Sequence, residues 1–291
     1  VRPVRLIDLA AAERQGNAGF INVDLVLDLG NSRSCGFLVE QTPGRDRSIA
    51  DSYRLQLRDI SQPEQTSDLP FESRVEFARA AFGREEWSLQ SGRGNAFDWP
   101  SPVRVGPEAL RLSAMNRGNE GQTGQSSPKR YLWDEKPRLT PWRFNPATDS
   151  EGVIRGSYLR FLAEDGTVLS MKKRSGIALR PLFSRASLFT LFLLEVLLQA
   201  RSQVNSHAAR YGRQDMTAPR RISSLILTLP PAMPLEEVRK VRERARAAAF
   251  LLKDVTGDPG PRVLDVEAKL DEATATQIVY LYDQISHAYR G

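Results

Sequence analysis

Residues 25–40 read LVLDLGNSRSCGFLVE, an apolar run on each side of a short polar turn. This pattern predicts a β-hairpin. Asp28 lies near the end of the first apolar run. A buried strand position does not favour an acidic side chain, so burial does not explain this residue. Such a turn can gather one carboxylate and several backbone N–H groups at a single point, as metal-bound phosphate requires. The alternative is an ordinary hairpin in which Gly30 and Asn31 supply positive φ angles.

Three later segments bear on this choice. Residues 127–132 read SPKRYL, residues 224–232 read SLILTLPPA and residues 271–276 read DEATAT. Together with the hairpin, they resemble in order four motifs of the ATPase domain of the 70-kDa heat-shock chaperones, which has the actin-like fold that sugar kinases share. The corresponding motifs of that family read DLGTTYSC, AKRLIG, TVPA and NEPTAA. Four matches in the family's order are far more specific than any one of them.

Within this superfamily, the string SPKRYLWD at residues 127–134 resembles the bacterial SrfB virulence-factor family, large proteins with such an N-terminal region. The resemblance to actin-like ATPases implies an α/β protein with a ribonuclease-H-like core, in which helices flank a mixed β-sheet. We expect residues 1–40 and 171–291 to form this core of the first lobe. Residues 41–170 are expected to form an inserted, smaller α+β subdomain with mobile loops.

The chaperone resemblance also implies roles for individual residues. Asp28 is expected beside Mg²⁺, through water, because Mg²⁺ keeps much of its hydration shell. Lys129 is expected to stabilise charge on the transferring phosphoryl group and to orient the attacking water. Glu272 is expected to position that water or a magnesium-bound water. The residues expected to hold the β- and γ-phosphates of ATP are Gly30, Asn31, Ser32 and Arg33.

Each of these positions also has an ordinary structural explanation. A lysine at a loop–helix junction is usually solvated, which is the alternative for Lys129. Glu272 would be an acid near a helix N-terminus that interacts with the helix dipole. Arg33, where the chaperones have tyrosine, would form an exposed salt bridge. Thr228 would be a plain strand-end threonine rather than a residue that binds water, and Cys35 would be an inert buried thiol.

Two departures from the chaperone pattern limit the comparison. Ala273 replaces a proline that helps to couple nucleotide state to the partner domain in the chaperones. The family's second phosphate hairpin, of the type DxGGGT, should follow soon after Glu272, but the sequence ends at Gly291. We therefore expect the first lobe alone, with half of a Mg·ATP site, and the second lobe of the same parent protein as its partner.

The function expected of the parent protein is binding of ATP in an interlobe cleft and slow hydrolysis, with closure driving a conformational or assembly step. The first lobe alone is expected to bind ATP poorly and not to hydrolyse it. The alternative is a non-catalytic actin-like scaffold, or a virulence-associated module, that binds an unknown protein partner. A third option, a sugar or acetate kinase relative, would need an acceptor pocket and a catalytic aspartate, for which we find no specific residues.

Composition limits the other classes. The chain has 291 residues, of which 41% are hydrophobic and 26% charged, as in ordinary globular proteins. The net charge is +6, but the basic residues are interleaved with acidic ones rather than gathered into one block. The sequence also has no zinc-finger or RNA-binding signature, so specific nucleic-acid binding is not expected. A single cysteine and no recognisable signal peptide favour the bacterial cytoplasm, with a secreted or host-cell role left open. The apolar run 186–200 contains Glu195 and is too short for a membrane span, which predicts a core helix.

Local patterns predict further elements along the chain. We expect strands at residues 53–57, 75–77, 222–229 and 262–266, a strand turning into a helix within 103–112, and helices at 184–207 and from residue 234. Residues 83–101, 116–127 and 134–150 are expected to be loops.

Overall fold

The structure is a computed structural model, which describes residues 19–41, 51–80, 99–115, 120–148, 152, 154, 161–169, 181–213, 215–256 and 264–271. The strands are β1 (Ile21–Leu29), β2 (Arg33–Gln41), β3 (Ser52–Arg54), β4 (Leu57–Arg58), β5 (Thr66–Ser67), β6 (Phe71–Glu72), β7 (Arg74–Phe77), β8 (Val103–Val105), β9 (Gly124–Ser126), β10 (Arg220–Leu229) and β11 (Asp265–Asp271). The α-helices are α1 (Gly106–Met115), α2 (Ser187–Asn205), α3 (His207–Arg210) and α4 (Leu235–Thr256), and Pro128–Tyr131 form a 3₁₀ helix. The protein is therefore a mixed α/β protein.

The largest sheet has β1 at its centre, in the spatial order β11-β10-β1-β2-β3. Strands β1, β2 and β3 form an antiparallel meander, as the predicted hairpin requires. On the other side of β1, strands β10 and β11 both run parallel to it. Parallel neighbours need a crossover connection, and α4 supplies the one between β10 and β11. The short strand β6 pairs with the beginning of β2.

One face of the sheet forms the hydrophobic core. The apolar side chains that β1 buries alternate along the strand, at Ile21, Val23, Leu25, Leu27 and Leu29. Helix α2 packs against β10 and against α4, and most of its residues are buried. The prediction of a core helix in the apolar run 186–200 is therefore confirmed. None of the helices in the described stretches is both long and apolar enough to cross a bilayer.

A second sheet, in the order β8-β7-β9, lies next to helix α1. Its polar centre is Glu76, which is fully buried and accepts hydrogen bonds from Thr123 Oγ1 at 2.6 Å and Asn145 Nδ2 at 3.0 Å. A Cβ at Gly124 would lie 2.0 Å from the Glu76 carboxylate, which explains the glycine. Helix α1 begins directly after β8, with Pro107 in its first turn as predicted.

Three predicted elements differ from the observed ones. The strand expected at 53–57 is interrupted. The reason is that Gln203 and Gln199 on α2 accept hydrogen bonds from the backbone N–H groups of Gln56 and Arg58, respectively. The loop expected at 116–127 contains β9. The strand expected at 262–266 lies later, in β11, where buried Val266 and Ala268 alternate with charged residues. In addition, β3 lies beyond residue 40, so the main sheet takes in part of the segment assigned to the insertion.

Candidate functional site

The carboxyl ends of β1 and β10 bring together Asp28 and Thr228. The two strands are parallel and in register through Leu27 and Leu227, so that the residues that follow lie side by side. Thr228 Oγ1 donates a hydrogen bond to Asp28 Oδ1 at 2.6 Å. Thr228 is therefore more than the plain strand-end residue of the alternative prediction, because it orients a carboxylate 200 residues away.

Cys35 faces Asp28 across the antiparallel pair of β1 and β2. Burial, and then the negative charge of Asp28, raise the pKa of this thiol above its ordinary value of 9.0. Both influences disfavour the thiolate, so the thiol stays protonated near neutral pH. Cys35 is half-buried rather than buried as predicted, and the charge of Asp28 raises the pKa of its thiol.

We expect Asp28→Asn to lower the pKa of Cys35, because the substitution removes a negative charge beside the thiolate while leaving the burial unchanged. The rate of alkylation by iodoacetamide, measured from pH 7 to pH 10, should then rise in the variant at each pH below the plateau. The control is Asp254→Asn, which removes an exposed acid near the end of α4. If the pH profile of Asp28→Asn coincided with that of the wild type, the charge of Asp28 would have no effect on the pKa of Cys35, contrary to the prediction.

The turn between β1 and β2 is held by a close backbone approach. A Cβ at Gly30 would lie 2.3 Å from the carbonyl oxygen of Arg33, so a larger residue does not fit. Positive φ angles in the described residues occur elsewhere, and neither Gly30 nor Asn31 has one. The explanation of the turn by positive φ angles is therefore wrong, and close packing explains the glycine instead.

The carbonyl groups of this turn point to Ser73. The hydroxyl of Ser73 donates to the carbonyl oxygen of Gly30 at 2.7 Å, and its backbone N–H donates to that of Ser32 at 2.9 Å. Because a trans peptide directs each C=O and the following N–H to opposite sides, the N–H of Asn31 points away from Ser73. No acceptor in the described stretches takes this N–H, and Asn31 is exposed. The turn thus presents a backbone donor on its outer side.

Lys129 lies at the base of the same hairpin. It is 9% exposed, and its ammonium Nζ donates to the carbonyl oxygen of Leu29 at 2.6 Å. The 3₁₀ helix that carries it is preceded by Ser127, which has a left-handed φ of 51° and whose N–H donates to the Ser73 carbonyl at 2.6 Å. The lysine is therefore buried and fixed at the hairpin, rather than solvated as the alternative prediction had it.

The remaining predicted residues stand apart from this cluster or outside the described residues. Arg33 is mostly exposed and lies 3.8 Å from Glu72, with which it pairs across β2 and β6. This is the exposed salt bridge of the alternative prediction, and such pairs contribute about 0–1 kcal/mol. Glu272 lies outside the described residues. Its neighbour Asp271 ends β11, in register with Leu229 of β10.

Sequence reasoning did not find Ser73, which forms three hydrogen bonds with the hairpin, to Gly30, Ser32 and Ser34. The string LPFESRVEF around it contains no motif that distinguishes this serine from a turn residue. In the described stretches, no three side chains of His, Cys, Asp or Glu lie close enough together to form a metal cage. The candidate site is thus one carboxylate, one buried ammonium and an outward backbone N–H, namely those of Asp28, Lys129 and Asn31.

Comparison with known proteins agrees with one of the two resemblances. A search of curated proteins finds no match. The sequence model of a family described as "Virulence factor SrfB" matches residues 3–291, nearly the whole chain. The match confirms the resemblance read from residues 127–134, and the chain belongs to the SrfB virulence-factor family.

Proposed function

We propose that this chain is the first lobe of an actin-like ATPase and holds the phosphates of Mg·ATP at the β1–β2 hairpin. The observation that carries the proposal is the contact of Lys129 Nζ with the Leu29 carbonyl at 2.6 Å. Through this contact, a segment 100 residues later in the chain places a buried ammonium at the turn that follows Asp28. The hairpin that contains Asp28 and the segment that contains Lys129 are two of the four motifs in which the sequence resembles the chaperone ATPases.

The sheet supports the fold assigned in this proposal. A ribonuclease-H-like core is expected to have a mixed β-sheet, and this sheet joins an antiparallel meander of three strands to two parallel strands beside the first. Strands β1, β2, β3, β10 and β11 follow this arrangement. Asp28 and Thr228 lie at the carboxyl ends of parallel strands, which is where open α/β sheets commonly bind ligands.

The electrostatic character of the cluster suits a phosphate group. The outward N–H of Asn31 and the ammonium of Lys129 are both donors, and backbone amides in a tight turn commonly bind phosphate oxygens. The Ser32 hydroxyl adds an exposed donor on the same turn. In such a site, Lys129 would stabilise the charge of the transferring phosphoryl group.

The donor set around Asp28 fits Mg²⁺ bound mainly through water and phosphate. Mg²⁺ commonly uses one or two carboxylates together with substrate phosphates and retains several waters, so a full protein cage is not required. Asp28 is held by Thr228 through Oδ1, which fixes its carboxylate at the mouth of the hairpin. When bound, the ion would neutralise phosphate charge. We assign the positioning of the attacking water to Glu272, and the remainder of the nucleotide site to a second lobe.

A non-catalytic actin-like scaffold is the second candidate. The pairing of Arg33 with Glu72 favours it, because the arginine that replaces the chaperone tyrosine is engaged with a carboxylate rather than facing the turn. In that case the hairpin would be retained as architecture and the chain would serve to bind another protein.

We expect Asp28→Asn to weaken Mg²⁺-dependent ATP binding by about tenfold or more, because the variant loses a charge-assisted contact with the hydrated ion. Isothermal titration calorimetry of the full-length protein, with Mg²⁺ and with EDTA, measures this effect. Asp254→Asn on the exposed side of α4 is the charge-matched control and should bind as the wild type does.

The scaffold would be favoured if the folded wild-type protein bound no nucleotide. Equal Mg²⁺-dependent affinity in the wild type and in Asp28→Asn would instead leave nucleotide binding in place and remove Asp28 from the site.

A further inference from the structure

Ser73, between β6 and β7, is 5% exposed and forms hydrogen bonds through its hydroxyl, its N–H and its carbonyl. Its hydroxyl donates to the carbonyl oxygen of Gly30 at 2.7 Å and lies 2.8 Å from Ser34 Oγ. A hydroxyl has a single hydrogen to donate, so Ser34 is the donor in the second contact. The side chain of Ser73 thus bridges the two ends of the turn.

The backbone of Ser73 extends this bridge to a second segment. Its N–H donates to the carbonyl of Ser32 in the turn, while its carbonyl accepts the N–H of Ser127 at 2.6 Å. Ser127 leads directly into the 3₁₀ helix in which Lys129 lies. One buried residue therefore contacts both the hairpin and the segment that supplies the lysine.

We propose that Ser73 is a positioning residue that holds the β1–β2 turn and the Lys129 segment as one rigid unit. The hydroxyl draws the Gly30 carbonyl inward, and the following N–H of Asn31 is thereby directed outward. The Ser127 contact sets the height of the lysine relative to that N–H. This inference rests on the proposed function in one respect, namely that the two donors serve a common phosphate group.

Removal of the hydroxyl should loosen both segments. In Ser73→Ala, the Gly30 carbonyl loses its buried donor and Ser34 loses its acceptor, so the peptide between residues 30 and 31 is free to rotate. Movement of the turn would reach Ser127 through the backbone of residue 73. A serine that acted only within the hairpin would leave the Lys129 segment unchanged.

Hydrogen–deuterium exchange followed by mass spectrometry tests the link without any ligand. In Ser73→Ala, we expect faster exchange in peptides covering residues 28–35 and in those covering 126–132. Ser101→Ala is the matched control, because Ser101 is a buried serine whose hydroxyl bonds to Val103 instead. Faster exchange in the hairpin alone, or in neither segment, would overturn the proposal.

A milder variant serves if Ser73→Ala does not fold. Ser34→Ala removes one of the two hydroxyl contacts and leaves the backbone of Ser73 intact. It should accelerate exchange in both segments to a smaller extent. Ser73→Thr keeps the hydroxyl and should restore much of the protection in both segments.

Titration with Mg·ATP separates this inference from the proposed function. If the full-length wild type binds, the full-length Ser73→Ala variant should bind about tenfold more weakly, as expected for the loss of one to two buried hydrogen bonds. Unchanged affinity in spite of coupled exchange would overturn the phosphate-positioning role. Coupled exchange in Ser73→Ala, together with no nucleotide binding by the full-length wild type, would overturn the proposed function and support the rigid link alone.

Discussion

The substitution Glu195→Ala is expected to destabilise the protein by about 3–5 kcal/mol, because it removes the nearer of the two acids, Glu195 and Glu108, that pair with the buried guanidinium of Arg104. Glu195 on α2 and Arg104 on β8 are both fully buried, with Oε2 and Nη1 3.4 Å apart. The carboxylate also accepts hydrogen bonds from Trp99 Nε1 and Gln199 Nε2, each at 2.8 Å. It therefore joins the core helix to the second sheet.

The free energy of unfolding from urea titrations measures this effect. Glu195→Gln separates charge from hydrogen bonding, since it retains an acceptor while it removes the negative charge, and we expect a smaller loss. Glu64→Ala, an exposed acid in the loop between β4 and β5, is the control and should change stability by less than about 0.5 kcal/mol. A loss below about 1 kcal/mol in Glu195→Ala would mean that water or a nearby acid compensates Arg104 in the variant.

The elements that the sequence predicted well are those specified by local pattern. The β1–β2 hairpin is marked by apolar runs on both sides of a polar turn, and α2 by a long, mostly apolar run. Interruption of the strand expected at 53–57 depends on Gln199 and Gln203, which are more than 140 residues away. Strand β11 alternates apolar and charged residues, so its position was open to prediction but was missed.

Only part of the candidate site could be predicted, because local patterns specify some of its residues and long-range contacts specify the others. Asp28 and Lys129 occur in local motifs that predict them, and the structure brings their segments together through the Leu29 carbonyl. Thr228 was considered, but its hydrogen bond to Asp28 depends on the parallel register of β1 and β10. The bonds of Ser73 reach segments about 40 to 50 residues away on either side, and no local pattern in sequence specifies contacts of that range.

In the proposed ATPase, Lys129→Ala is expected to lower the rate of ATP hydrolysis by the full-length protein about 10²- to 10³-fold, the range observed when one donor to a developing charge is removed. The affinity for Mg·ATP should change by only a few fold, because the ammonium is needed most when charge develops on the transferring group. The Nζ contact with the Leu29 carbonyl shows that the lysine is fixed in advance at the hairpin.

Steady-state release of phosphate, together with calorimetric titration of ATP, distinguishes this role from a structural one. Lys136→Ala is the control, since it removes an exposed lysine from the segment that follows the 3₁₀ helix. If Lys129 serves the fold alone, affinity, rate and stability should fall together in Lys129→Ala. Hydrolysis that persists at the wild-type rate would remove Lys129 from catalysis. A wild type that binds Mg·ATP without hydrolysing it would favour the scaffold, because the hairpin and the lysine would then hold a nucleotide that is not consumed.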